Sequence, residues 1–197
     1  MPHWLIEGLF IVVSVALGFG VAQYGEYRGD QALKSQALEG LRTEIEHNLT
    51  LLEPMVPIHD AWVKALDKAR QPKPGEAGID VFFDARPPLP PGSPSPFPFL
   101  RRSAWDAALS SGALRLFDYS VTEALSEIYR VQEIATDNVE RLANGPVASV
   151  DVFDPGRRDA SVRLLWLTIA DIQSAEATLL DLYRRHLPAI RAAAGVP

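Results

Sequence analysis

The chain contains no cysteine. Disulfides, thiolate zinc sites, iron–sulfur clusters and a cysteine nucleophile are thereby excluded, and both a bacterial envelope and a cytosol stay permitted. It also lacks a basic stripe. Nineteen Lys and Arg stand against 25 Asp and Glu, a formal charge of −6, and the arginines fall in short pairs, so there is no footprint for nucleic acid. The four histidines, His3, His47, His59 and His186, lie far apart and read as solvated or capping side chains. The chain has no phosphate-cradling glycine loop, and "SSG" at 110–112 lacks the Gly-x-Ser-x-Gly frame of a nucleophile elbow. "EIEH", Glu44 to His47, has the spacing of a carboxylate-bridged di-iron bundle, but no second such pair faces it. No catalytic residue, metal or cofactor is expected.

Long apolar runs are scarce too, with one exception. Gly8 to Gly25 carries no charge, near the shortest length that crosses a hydrocarbon core of ~30 Å. Trp4 on one side and Tyr24 and Tyr27 on the other stand where interfacial aromatics sit. With no cationic leader and no small-x-small cleavage site, the run reads as an uncleaved membrane anchor, ahead of a cleaved signal or a buried core helix. Glu7, Ile11, Ser14, Gly18, Ala22 and Gly25 recur on one face at three- and four-residue steps. That face is a candidate seam for a second membrane helix, although small residues are common in membrane helices anyway. Glu7, at the helix start, can reach the headgroups and complement the helix dipole.

The rest reads as helix. Leu38, Leu41, Ile45, Leu49 and Leu52 form one stripe of a helix closed by Pro54 and Pro57, and "HDAWVKALDKAR" forms a shorter one. Ser103 is a plausible N-cap, Gly112 marks a break or a tight helix contact, and Ser120 with Glu123 makes a capping-box pattern. The helix from Ser120 stops at Asn144, Gly145 and Pro146. A last helix runs from Asp159 to His186, with Pro188 ending or kinking it, and Glu176 on its apolar stripe needs a partner or an exit to water. The aromatics Trp62, Trp105, Tyr119, Tyr129, Trp166 and Tyr183 are assigned to the core. Residues 71–99 read as a Pro-rich loop, in which Val81, Phe82, Phe83, Phe97 and Phe99 favour a packed strap over a free linker or a docking peptide.

The expected fold is therefore all-α: a single N-terminal transmembrane helix continuing into an antiparallel helical bundle with a Pro-rich strap. Residues 1–29 form the anchor and juxtamembrane segment and 30–197 the bundle domain. "DVFDPGRRD" is most economically a charged turn, but Arg157 and Arg158, with Arg101 and Arg102, are candidate anion contacts if the fold converges them.

"LIEGLFIVVSVALGFGVAQYGEYRGDQ" with "LEGLRTEIEHNL", and later "AWDAALSSGALRLFDYSVTEALSEIYRVQE", resemble the two blocks of a broad set of bacterial membrane-anchored proteins of unknown function. The blocks cover about a third of the chain and carry no catalytic residue. The resemblance implies a single-pass protein of the bacterial inner membrane with its C-terminal domain in the periplasm. Relatives often carry a basic leader that "MPHWLIE" lacks, and Arg28, Lys34 and Arg42 after the run pull that side toward the cytoplasm. The expected function is a membrane-anchored structural or interaction protein, an accessory subunit or partner of a larger respiratory, photosynthetic or transport assembly. Its partners are the lipid bilayer and a membrane protein or a second copy of itself. A ligand-sensing bundle built on the four arginines is the alternative, and an enzyme comes last.

Overall fold

The structure, a computed structural model, describes residues 3–69 and 75–195, leaving aside the side chains of residues 1–13, 15 and 16. All its regular elements are helices. In order they are α1 (His3–Leu52), α2 (Val56–Lys68), α3 (Gly78–Asp84), α4 (Ser103–Ser110), α5 (Tyr119–Asn144) and α6 (Arg158–Ala193), with short 3₁₀ turns after α4 and before α6. The anchor run and the first amphipathic stripe share one helix of 50 residues, about 75 Å long at 1.5 Å per residue.

Cross-helix contacts give the direction of each rod. Glu46 of α1 and Glu53, just past its end, meet Arg191 and Arg184 of α6, so those helices are antiparallel. His59 of α2 meets Glu176 and Ala69 meets Arg158, so α2 prolongs the direction of α1 along the same partner. Gln132 and Asn138 of α5 meet Tyr183 and Asp171, which makes α5 antiparallel to α6 and parallel to α1. The chain thus goes up through α1 and α2, returns, climbs again in α5 and descends in α6.

The return is the Pro-rich strap. Phe97 lies by Val139, Leu100 by Thr136 and Arg101 by Gln132, so the segment runs antiparallel to α5 in the place a fourth helix would take. Prolines without N–H groups forbid that helix, and the strap stays extended on the bundle. The 71–99 loop assignment needs one correction: α3 lies inside it, burying Ile79, Val81 and Phe82. This short helix packs so tightly on α6 that a Cβ at Gly78 would come within 2.5 Å of the Ser161 Cβ. Phe97 is half-buried, whereas Phe83 and Phe99 face solvent.

Two cores result. The lower one gathers Leu38, Leu41, Ile45, Leu125, Ile128 and Leu179, and the upper one Trp62, Leu66, Phe82, Val162, Leu165 and Ile169. Tyr119, assigned to the core from sequence, is exposed at the first turn of α5, and Trp166 is only half-buried. The caps differ from the sequence pattern as well. Asp118, not Ser120, is the N-cap of α5, and α4 begins after Arg102, without a side-chain bond from its own cap residue. Gly112 has φ +71 and open space around it, so it is a left-handed break after α4 and not a tight contact. Helix α6 continues through Pro188 to Ala193; the Arg184 carbonyl that loses its proline partner belongs to an exposed residue and can turn to water.

The first half of α1 carries the membrane expectation. Among the described residues no helix is long and apolar enough to cross a membrane. Of the expected anchor, Gly8 to Ala16 except Ser14 lies outside the residues whose side chains are described, and from Leu17 only the nine residues to Gly25 precede the charge of Glu26.

Candidate functional site

Three places bear on function: the stalk of α1, the arginine pairs, and a polar layer where the strap crosses the bundle.

Every described stalk side chain from Leu17 to Gly29 is exposed. Leu17, Phe19, Val21, Tyr24 and Tyr27 are each between 62% and 73% open, with no other described part of the chain covering them. At 3.6 residues per turn, Ser14, Gly18, Ala22 and Gly25 fall within an arc of about 80°, and the bulky side chains occupy the rest of the circumference. Ser14 and Ala22 are exposed, and a Cβ at Gly18 or Gly25 would meet nothing within 4 Å. Glu7 and Ile11 lie outside the residues whose side chains are described. Arg28 sits over the ring of Tyr24, 5.9 Å from its centroid.

The arginines occupy two separate settings, each with its own carboxylates. Arg102 pairs with Asp106 and Glu133, and the exposed Arg101 is held through its backbone. Arg157 reaches Asp151 on the surface. Arg158 is buried at the start of α6, where it bonds Glu76, Asp159 and the Ala69 carbonyl and so clamps the two ends of the segment between α2 and α3. Burial alone would depress its pKa, but the two carboxylates outweigh that and raise it.

The polar layer is where sequence reading was least complete. An extended, proline-rich backbone laid on a core exposes carbonyls that no helix or sheet satisfies, and these must find side-chain donors. Asn48 grips Arg101 from both sides, donating to its carbonyl at 2.7 Å and accepting from its amide at 2.8 Å. Gln132 also donates to that carbonyl at 2.8 Å, and Tyr183 donates to the Gln132 oxygen at 2.8 Å. One step lower, the buried Glu44 carboxylate caps α4 from a different helix. It accepts from Ser103 Oγ at 3.0 Å, the Ala104 amide at 2.8 Å, the Trp105 amide at 3.4 Å and Tyr129 Oη at 2.7 Å. An anion at that N-terminus satisfies orphan amides and the dipole together. Burial first, and then the Glu44 carboxylate, hold the Tyr129 hydroxyl well above its ordinary pKa of 10; burial does the same for Tyr183.

One step higher lies a pair that corrects the histidine expectation. His59 is fully buried, not solvated. Its Nε2 lies 2.8 Å from the Pro96 carbonyl, which can only accept, so Nε2 carries a proton. Its Nδ1 lies 2.5 Å from Glu176 Oε2, and one further proton is held between them. Whether that proton sits on nitrogen or oxygen, the pair is neutral overall, and it supplies the partner that Glu176 needed. Glu176 also lines a cavity of about 240 Å³ between the strap and α5. Of the other histidines, His186 stands 3.4 Å from Glu127, His47 is half-buried, and the His3 side chain lies outside the description. Among the described residues no three His, Asp or Glu side chains gather as they would around a metal ion.

Asn48 and Gln132 went unread, and Glu44 was read only as part of a Glu-x-x-His spacing, yet all three carried the signal that singled out Glu176: a polar residue at a stripe position. Asn48 falls three residues after Ile45 and four before Leu52, and Gln132 four after Ile128. No protein-family model, curated protein or solved structure matches this chain.

Proposed function

We propose that this chain is a membrane-tethered interaction protein: the first half of α1 lies in a lipid bilayer and its small-residue face packs against another membrane helix, from a partner protein or a second copy. The observation that carries this reading is the contrast along α1. Its second half buries a stripe against the bundle, while the described side chains of its first half, free of charge from Leu17 to Gly25, stand exposed with no other described part of the chain covering them. A bare apolar helix of that kind needs a cover, and contiguous apolar surface marks contact with membrane or protein. Lipid suits the bulky arc, and a helix can approach closely along the small arc. The charge-free sequence continues upstream to Gly8, and the resemblance of the opening to bacterial membrane-anchored proteins points the same way.

On this reading the protein is an accessory subunit or partner in a bacterial inner-membrane assembly, with the bundle in the periplasm. The bundle offers a framework whose buried Glu44, Asn48, His59 and Gln132 are engaged in holding α4 and the strap, which suits holding more than chemistry. Fractionation of expressing cells tests the tether: the full chain should sediment with membranes and stay there through an alkaline carbonate wash. Recovery of the folded chain in the supernatant would sink the proposal. A reporter fused after Pro197 and active only in the periplasm reads the side, and activity of a cytoplasm-only reporter would reverse it.

A further inference from the structure

We propose a second contact, which rests on the tethered reading and goes beyond it: the turn between α4 and α5 is a foot that seats the bundle on the lipid headgroups of the same bilayer. The turn is the lowest described part of the bundle. Helix α6 ends at Ala193, and its Arg191 is already level with Glu46 of α1. Helix α4 descends from its cap at Glu44 past Gly40, whose Cβ would lie 3.7 Å from that of Ala104. The 3₁₀ turn Ala113–Leu116 then brings Arg115 to Asp30 at 3.2 Å, and Leu33 packs on the same lower core as Leu114 and Leu116. Tyr129 bonds Glu44, so Tyr119, ten residues earlier on the parallel α5, stands roughly level with Lys34.

Helical rise sets how far this base stands from the lipid. Five residues separate Gly25, the end of the charge-free run, from Asp30, a climb of about 7.5 Å. A headgroup layer has the same depth, about 5–8 Å on each side of a ~30 Å core. The run from Gly8 spans about 27 Å, slightly less than that core, so the mismatch brings the lipid edge toward Asp30. One unbroken helix joins stalk to bundle, which leaves no hinge for the base to swing away. What the base presents also fits such a layer. Leu109 is 49% exposed and Tyr119 80%, an apolar side chain and an amphipathic ring beside the open hydroxyls of Ser110, Ser111 and Ser120. Arg28, Lys34 and Arg115 balance Glu26, Asp30 and Asp118, so a zwitterionic headgroup suffices and no anionic lipid is required.

Because the chain has no cysteine, a single introduced thiol carries a fluorescent probe without background. Full-length Leu17→Cys, Ser111→Cys, Tyr119→Cys and Val150→Cys chains, each labelled with bimane, are reconstituted into phosphatidylcholine vesicles. Val150, 81% exposed on the turn ahead of α6, marks the far end of the bundle. A nitroxide on the lipid headgroup should lower emission from the Ser111→Cys and Tyr119→Cys probes about twofold, since probe and quencher share a layer of about 5–8 Å, and should leave the Val150→Cys probe unchanged. A nitroxide on the acyl chain should quench the Leu17→Cys probe. If Leu17→Cys is quenched while Ser111→Cys and Tyr119→Cys stay as bright as Val150→Cys, the foot is overturned and the tether stands. If Leu17→Cys is not quenched, both fall. Equal headgroup quenching at Tyr119→Cys and Val150→Cys overturns the foot as well, because the bundle would then lie on its side.

Discussion

One helix, α1, contains two regions built for different surroundings. From Leu38 onward its apolar residues keep to a single stripe, and Leu38, Leu41, Ile45 and Leu52 are each 0% or 1% exposed. From Leu17 to Tyr27 the apolar residues are spread around the axis and stand open. The backbone is continuous helix in both, so local propensity does not separate them. What separates them is the period of the apolar residues: a stripe signals a partner on one side, and an all-round distribution signals an apolar medium or several partners. The bundle half is thus stabilised from within the chain; under the proposed function the stalk half is covered from outside it.

The sharpest way to break this contrast is to shorten a leucine in each half. Leu41→Ala opens a space in the lower core and should destabilise the domain by about 2–5 kcal/mol in urea unfolding. Leu17→Ala, 65% exposed, should stay within about 0.5 kcal/mol. Equal losses at the two sites would mean that the stalk folds back on the bundle in solution. A comparable contrast holds for glutamates. Glu44→Ala strands the α4 amides, the Ser103 hydroxyl and the Tyr129 hydroxyl, and should cost about 3 kcal/mol. The same change at the exposed Glu26 should be silent in the unfolding midpoint. Glu44→Gln should recover part of the loss, because its amide oxygen still accepts from α4.

The bundle's buried hydroxyls give it a pH limit. Tyr129 and Tyr183 have folded pKa values raised above the 10 they have when unfolded. Above pH 10 the unfolded chain sheds these protons while the folded chain keeps them. Their stabilising contribution is therefore intact below pH 10 and lost progressively as pH rises beyond it, by up to about 1.4 kcal/mol per pH unit for each tyrosine. Urea midpoints measured from pH 9 to 11 should fall with that steepness, and Tyr129→Phe should flatten the fall by one proton. A midpoint constant across that range would mean that water reaches these hydroxyls.

Much of this fold was legible because it rests on periodicity. The stripes of α1, α5 and α6, the stop at Pro54, and the packed character of the strap all follow from where apolar residues and prolines stand. Three features escaped. Helix α3 sits between proline clusters and spans only seven residues, too few for a 3.6-residue repeat to show. The cap of α4 comes from Glu44, fifty-nine residues before Ser103, and no local pattern encodes a cap delivered by another helix. His59 reads as a surface residue in its own segment, and only the approach of α6 and the strap supplies Glu176 and the Pro96 carbonyl. Glu176 alone announced itself, since a carboxylate on an apolar stripe demands compensation.

The smallest effect on folding, and the one that separates tether from partner site, belongs to Gly18. On the described structure a side chain there meets nothing within 4 Å, and glycine is the poorer helix former, so Gly18→Leu should leave the unfolding midpoint unchanged or slightly raised. The same holds for Ala22→Leu, one turn further along the small arc. In a bilayer the consequence differs, because lipid tails provide no hydrophobic drive between helices and association depends on how closely two backbones approach. A leucine at Gly18 holds a neighbouring helix away along the seam it shares with Ser14, Ala22 and Gly25. The doubly substituted chain should therefore stay folded and stay in the membrane fraction, yet lose its co-purifying protein in mild detergent, or migrate as a smaller species on a native gel. If migration and co-purification are both unchanged, the small arc is not a contact seam, and the stalk acts as a tether alone.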